Sequence, residues 1–170
     1  MKKAKDYKKI IADKKLEAGS LMTSEQVKKC NIAIHSASVA AGAEGAIPLP
    51  GVDAIPISAT QIAMVIGLGK IFDQNLSEST AKSIIGAAAA TFVGRNLVKF
   101  IPIIGWGISA AVAAGITEAI GWMSAVDFAK NYRKEWERKK SAEQAAHSKI
   151  ESEYYKKSAQ TTAEAEDFSE

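Results

Sequence analysis

The feature that most constrains the fold is a long middle stretch, residues 31–129, in which charged side chains are rare. Its apolar residues recur at helical spacing and do not show the period-two alternation of strands. Two proline-containing corners, at residues 44–57 and 99–109, interrupt the helical pattern, because proline does not fit inside a helix. The stretch therefore predicts an all-α protein in which helices meet at two apolar corners.

Cap and breaker residues predict where the first helices begin and end. A basic amphipathic helix is expected over residues 2–18, ended by Gly19-Ser20. Thr23 or Ser24 offers the N-cap of a second helix that reaches about residue 43. Asp53 is the expected cap of a third helix, which ends near residue 72 at a turn over residues 73–75.

The remaining helices follow from the same signals. Ser77 is the expected cap of a fourth helix that runs to about residue 100, where Pro102 prevents its continuation. A fifth helix is expected from about residue 108 past Asp127, with a continuation through the charged stretch that follows. We expect the tail to be helical to about Tyr155 and frayed beyond it.

An internal repeat relates the two corners. When the chain is shifted by about fifty-four residues, Thr23 falls on Ser77, Ile47-Pro48 on Ile101-Pro102 and Gly67 on Gly121. Chance similarity within a segment rich in Ala, Gly and Ile is the alternative. The repeat predicts two αα-hairpins, residues 23–73 and 77–127, which pack into a helical bundle flanked by N- and C-terminal amphipathic helices.

Composition divides the chain into three parts. Residues 1–20 form a basic amphipathic helix, residues 21–132 the helical core with both hairpins, and residues 133–170 a charged helical tail with a frayed end. The single cysteine and the lack of an apolar leader suggest the cytoplasmic side, either in solution or attached to the inner membrane. A net charge of +3 is too small to indicate nucleic acid.

No constellation of residues indicates catalysis, a metal or a cofactor. Cys30 and His35 lack neighbours at ligand spacing, and His147 has only Glu151, four residues later on a surface helix, so we interpret all three as core or solvated residues. Of the acids in the middle stretch, Glu44 and Glu118 are the least explained. A carboxylate inside so apolar a helix as that of Glu118 needs a partner, for which the sequence offers Lys82 or Arg95.

The segments AIPLPGVDAIPISATQIAMVIGLGKIFD (46–73) and AKSIIGAAAATFVGRNLVKFIPIIGWGISAAVAAGITEAIGWMSAVDFAK (81–130) resemble a bacterial helical domain of unknown function. That domain occurs C-terminal to Era-like small GTPase modules and in a family of bacterial inner-membrane proteins. The resemblance implies a helical module linked to membranes or to a GTPase, without known catalysis. The chain has no phosphate-binding loop, because the glycines of IGLGKIFD lack the required spacing, so any GTPase would be a separate protein.

If both hairpins point the same way, their corners meet at one end of the bundle. We expect an apolar tip there, formed by Ile47, Leu49, Phe100, Ile103 and Trp106. Arg95 and Lys99 would form a basic collar about one turn below. An apolar tip with a tryptophan and a basic collar is typical of an interfacial anchor or of a protein-docking patch.

The expected function is that of a non-enzymatic module that associates with a membrane or docks a protein partner, which could be a GTPase; a homo-oligomer is also open. One alternative is a membrane-disrupting or pore-forming protein, and another is a soluble helical interaction protein. Residues 101–126 are long enough to span a bilayer, with Glu118 as their one charge. The best lipid-binding candidates in the basic arms are the N-terminal lysines Lys2, Lys3, Lys5, Lys8, Lys9, Lys14 and Lys15.

Overall fold

The computed structural model describes residues 4–45, 54–93 and 110–167, and every regular element in these ranges is a helix. The all-α fold class is thus confirmed. The five helices are α1 (Ala4–Leu21), α2 (Ser24–Glu44), α3 (Ala54–Ile71), α4 (Glu78–Val93) and α5 (Ala110–Asp167). Residues 46–53 of the first corner and the whole second corner lie outside the described residues, so the equivalence of the two hairpins stays a prediction, as does the N-cap role of Asp53.

The chain divides into two compact units, Met1–Tyr132 and Arg133–Glu170. The first unit holds α1 to α4 and the beginning of α5, and the second holds the rest of α5. The separate status of residues 1–20 stays a prediction.

Local hydrogen bonds fix the two N-caps that the sequence predicts. The Thr23 hydroxyl accepts from the backbone N–H of Gln26 at 3.2 Å, and the Gln26 side chain accepts from the N–H of Thr23 at 2.9 Å. This reciprocal capping box contributes about 1 kcal/mol to the start of α2. The Ser77 hydroxyl accepts from the N–H of Thr80 at 3.1 Å and caps α4 in the same way.

The turn after α3 has the geometry of a Schellman motif. Asp73 has a φ of 56°, a left-handed conformation that aspartate tolerates better than most residues. The N–H of Gln74 donates to the carbonyl of Gly69 at 2.9 Å, and that of Asp73 donates to the carbonyl of Lys70 at 3.3 Å. The predicted turn is therefore confirmed, and it directs the chain from α3 into α4.

Two predicted helix ends are wrong. α1 continues through Gly19 and Ser20 to Leu21, because the Ser20 hydroxyl donates to the carbonyl of Glu17 within the helix and Ala18 is buried in the core. α5 continues to Asp167 and does not end near Tyr155. The alanines of this segment have high intrinsic helix propensity, which favours helix without tertiary contacts.

The beginning of α5 lies at the centre of the first unit. Residues 119–122 and 124–126 are buried without a break in either run, and successive helical residues point 100° apart. This segment is therefore covered on every face, which is typical of a helix inside a core.

Glycines let neighbouring helices approach α5 closely. A Cβ added at Gly121 would lie 2.8 Å from a side-chain carbon of Ile34 in α2 and 3.0 Å from the sulfur of Met64 in α3. A Cβ added at Gly115 would lie 2.5 Å from the Tyr7 ring of α1. Larger residues at either position would push a neighbour out of contact.

α4 and the turn after α3 complete the surroundings of α5. The Thr91 hydroxyl of α4 lies 3.9 Å from the sulfur of Met123. The buried ring of Phe72 makes an edge-to-face contact with Tyr132, at 6.3 Å between ring centroids. All four other helices thus contact the first part of α5, and the described core is built around it.

Candidate functional site

The predicted tip and collar cannot be placed in the fold. Ile47, Leu49, Phe100, Ile103, Trp106, Arg95 and Lys99 all lie outside the described residues. The described part of the chain offers a second candidate surface, formed by α1. It is defined by the ion pairs that fix α1 to the core and by the side chains that α1 turns to solvent.

Lys15 fixes the middle of α1 to α5. Its ammonium group donates to the carboxylate of Glu118 at 2.8 Å and lies 5.4 Å from the centroid of the Trp122 ring. The prediction that Glu118 pairs with Lys82 is corrected by this contact, whereas the alternative partner, Arg95, lies outside the described residues. Lys82 instead pairs with Glu78 at 2.6 Å, one turn away on its own helix. Glu118 is only partly buried at the α1–α5 contact, where an N-terminal lysine reaches it.

Glu17 fixes the end of α1. Its carboxylate pairs with Lys130 of α5 at 2.5 Å and with Lys14 at 2.7 Å. These hydrogen bonds, that of Lys130 first, hold the pKa of Glu17 below its ordinary value. The same contact raises the pKa of Lys130. Both shifts show that the charged forms are stabilised by the contact between the two helices.

The opposite side of α1 faces solvent. Lys8 and Lys9 are exposed, and Leu16 is 81% exposed, the largest exposure of any large apolar side chain in the described residues. The core-facing side uses Ile10 and Ile11, which pack against the buried cluster. α1 is therefore an amphipathic helix whose outer face combines lysines with one unprotected leucine. We call Lys8, Lys9 and Leu16 the outer face of α1.

The structure divides the predicted lysine cluster. Lys15 is held by Glu118 of α5 and Lys14 by Glu17 of its own helix, and the side chains of Lys2, Lys3 and Lys5 lie outside the described residues. Lys8 and Lys9 stay available to an external anion. Leu16 was not among the predicted binding residues, although its helical register opposite Ile10 and Ile11 places it on the outside.

A short polar layer crosses the interior. The Thr60 hydroxyl donates to the carboxylate of Glu44 at 2.8 Å, and the Gln61 amide donates to the Thr117 hydroxyl at 3.0 Å. These pairs join α3 to the end of α2 and to α5. Glu44 is thereby given a structural role, since one of its oxygens is matched by a hydroxyl donor.

Cys30 and the two histidines lie where core or solvated residues are expected from the sequence. Cys30 is fully buried, and burial raises the pKa of its thiol to about 11, so it is protonated and unreactive at neutral pH. His35 and His147 are exposed. No group of three metal-binding side chains occurs in the part of the chain that the structure describes.

Within the described ranges, no helix combines the length and the apolar character that crossing a bilayer requires. Residues 119–126, which belong to the stretch that the sequence marks as a candidate span, are covered by protein on every face of the helix.

Comparison with known proteins finds no relative. The chain matches no family model, no curated protein and no solved structure. The resemblance to the GTPase-linked helical domain therefore stays a prediction from the residues quoted above.

Proposed function

We propose that the protein is a non-enzymatic, membrane-associated helical module that attaches to anionic lipid surfaces through the outer face of α1. The observation that carries this proposal is the exposure of Leu16 on the same side of α1 as exposed Lys9, seven residues earlier, with exposed Lys8 on the flank. The apolar residues on the other side of α1 are already used by the core, so the outer face is what the helix offers to a surface.

The chemistry of this face suits a lipid headgroup layer. Each lysine close to an anionic leaflet contributes about 1 kcal/mol, and the effect fades within a Debye length. A leucine side chain adds apolar burial at the boundary between headgroups and acyl chains. The other N-terminal lysines, Lys2, Lys3 and Lys5, add charge to the same end of the chain.

Attachment through so few groups is weak, so a second contact is required for stable binding. The predicted tip, with Phe100 and Trp106, is the candidate for it. In this proposal the outer face of α1 supplies electrostatic attraction, and the tip supplies apolar insertion.

Vesicle co-sedimentation tests the α1 contact. Lys8→Glu/Lys9→Glu is expected to reduce binding to phosphatidylserine-containing vesicles by at least tenfold, because four units of charge change at the surface. Lys28→Glu/Lys29→Glu on α2 is the matched control, since both side chains are exposed and the net charge change is the same. Equal loss in both variants would show that net charge alone matters and would refute the α1 contact.

The tip needs a separate variant. Phe100→Ser/Trp106→Ser is expected to weaken binding in a manner that added salt does not reproduce, because it removes apolar insertion and leaves the charges in place. Equal partitioning of this variant and the wild type would exclude the tip. Dye release in the same vesicles distinguishes surface attachment, which leaves them intact, from the pore-forming alternative.

A protein partner is the second candidate, favoured by one observation on α2. Ile32 and Val39 are both more than half exposed and lie seven residues apart, so they share one face of the helix. The sequence resemblance names a separate Era-like GTPase as the partner to test. Titration of such a GTPase against the wild type and Ile32→Glu/Val39→Glu is expected to show binding that the variant loses. Absence of binding to the wild type would remove the GTPase from consideration.

A further inference from the structure

The helical segment of the second unit exposes large apolar side chains. Every residue from 133 to 159 is exposed, including Trp136, Ile150, Tyr154 and Tyr155. Ile150 is 69% exposed and Tyr154, one turn later, is 72% exposed. Ile150 and Tyr154 lie four residues apart on one side of the helix, so together they offer an apolar contact to a second surface.

The residues around Ile150 form one face with a symmetric order. Positions four and seven residues away from Ile150 in either direction lie on its side of the helix. Four residues away are Ala146 and Tyr154, and seven residues away are Glu143 and Lys157. Each pair is complementary: a small residue is matched with a large one, and an acid with a base. We call these five residues the Ile150 face.

Helix length agrees with this symmetry. Ile150 lies midway between Arg133, the first residue of the second unit, and Asp167, the last residue of α5. The helical segment between them is about 50 Å long at 1.5 Å per residue. Two such segments that run in opposite directions with their Ile150 residues opposite each other therefore overlap along their whole length, and neither leaves an unmatched end.

We propose that the Ile150 face binds a second copy of this chain in an antiparallel helix pair. Ile150 then lies opposite Ile150 on the two-fold axis, Ala146 lies opposite Tyr154, and Glu143 lies opposite Lys157. The arrangement is isologous, as closed dimers require, since each contact occurs twice. The 4- and 7-residue spacings about Ile150 keep the five residues on one side of the helix.

Charge argues against the parallel alternative. Two parallel copies in register would bring Glu143 against Glu143 and Lys157 against Lys157, and such like-charge contacts disfavour pairing. The antiparallel pair converts both contacts into opposite charges. It also places Lys149 near Glu153 of the partner on one flank, because the two residues lie on the same side of the Ile150 face.

The second unit thus supplies self-association, while the outer face of α1 belongs to the first unit. The inference does not depend on the proposed function, because the experiments below contain no lipid.

A charge-swap series on the full chain tests the partner and its orientation. The mass measured by light scattering is expected to rise from one copy towards two with increasing concentration. Glu143→Lys and Lys157→Glu are each expected to weaken the dimer about tenfold, and the double variant is expected to restore it. A wild type that stays monomeric across the accessible concentrations, or a double variant no tighter than the single ones, would overturn the proposal.

Disulfide trapping reports orientation independently. Ala146→Cys and Tyr154→Cys are prepared separately, mixed and oxidised. The antiparallel pair predicts a 146–154 crosslink in the mixture and little crosslinking of either variant alone, because like positions are about 12 Å apart along the axis. A parallel pair would give the reverse, with each variant linked to itself, and would refute the antiparallel register.

The native thiol provides the folding control for every variant. Cys30 is the single cysteine of the chain and is fully buried in the first unit. It does not compete for disulfides in the folded protein, and it reacts with thiol reagents once the core opens. A variant whose Cys30 stays protected has a folded first unit, so a loss of dimer in that variant reports on the Ile150 face.

Discussion

Two tryptophans on the same helix have opposite surroundings. Trp122, in the first unit, is 2% exposed, and Trp136, in the second, is 53% exposed. Each has a lysine over its ring at nearly the same distance: Lys15 at 5.4 Å from the Trp122 centroid and Lys140 at 5.1 Å from that of Trp136. The geometry of the cation–π contact is thus alike, while burial differs.

The difference shows that the two parts of one continuous helix are stabilised in different ways. Before Tyr132, glycine, alanine and serine allow four neighbouring helices to approach, and tertiary packing stabilises α5. After Tyr132 every side chain up to residue 159 is exposed, so local helix propensity stabilises that part. The size of the residues in a helix, as well as their polarity, therefore indicates whether the helix lies in a core or in solvent.

Truncating the two tryptophans is expected to give the largest contrast. Trp122→Ala should lower the free energy of unfolding by about 3–5 kcal/mol, because it leaves a cavity in the core. Trp136→Ala should change it by less than about 0.5 kcal/mol, since the residue is half exposed. Urea unfolding followed by circular dichroism measures both, and equal losses would contradict the comparison.

Glycine-to-alanine changes sharpen the description of close packing around α5. Gly121→Ala is expected to cost about 1–3 kcal/mol, because the new methyl group meets Ile34 and Met64. Gly67→Ala, at the position that the repeat equates with Gly121, is expected to stabilise by about 0.5–1 kcal/mol, because its Cβ meets nothing within 4 Å. Thermal denaturation shows whether each variant is more or less stable than the wild type. A change in the same direction in both variants would mean that the two glycines have equivalent packing.

Replacing Lys15 or Lys140 tests whether burial, at nearly equal distance, determines how much a lysine–tryptophan contact adds to the free energy of unfolding. Lys15→Met should cost about 1 kcal/mol, since it removes the contact with buried Trp122 and the ion pair with Glu118. Lys140→Met removes a contact of similar length that is exposed to solvent, so it should lower the free energy of unfolding by about 0.3 kcal/mol at most. Repeating Lys15→Met in a Glu118→Gln background isolates the ring contact. A larger loss at Lys140 would refute the role of burial.

The Glu17 contact is expected to give the smallest effect, visible in its pH dependence. Because the pKa of Glu17 is lowered, its stabilisation is present above the ordinary value of 4.5 and is lost as pH falls through the lowered value. The difference in unfolding free energy between the wild type and Glu17→Gln should therefore be constant near neutral pH and shrink below about pH 4.5.

A matched carboxylate distinguishes the tertiary contact from a local one. Glu25 also has a lowered pKa, owing to Lys29 one turn away on the same helix. Because that pair is fully solvated and local, Glu25→Gln should leave the salt dependence of α1 docking unchanged, whereas Glu17→Gln should weaken it. Fluorescence from a probe attached to α1 measures docking, and identical salt curves for the two variants would argue against the Glu17–Lys130 contact.

Features governed by neighbouring residues were predictable from the sequence. The caps at Thr23 and Ser77 and the turn at Asp73 depend on side chains within a few positions, so their chemistry can be seen in the letters. The continuation of α5 beyond Asp127 is also correct, because nothing in that stretch breaks a helix. Gly19-Ser20 was misinterpreted as a stop because tertiary packing of Ala18 overrides a weak local signal.

Features governed by distant residues were not predictable. Glu118 pairs with Lys15, which is 103 positions away, whereas the sequence suggested a lysine or arginine of the neighbouring helix in its own hairpin. The apolar beginning of α5 is equally compatible with a membrane span and with a core helix, because both are apolar on every face. What distinguishes them is the presence of four partner helices, and no single segment encodes that.

The central position of α5 also has a consequence in time. Of the five helices it is the last to be synthesised, yet it is the one that the other four share. At about 5–20 residues per second, ribosomes complete α1 seconds before the beginning of α5 exists. Until then α1 to α4 can pack only against one another, as α2 does with α3 and α3 with α4. The bundle therefore closes late in translation, and chaperones have the longest access to the nascent chain just before that point.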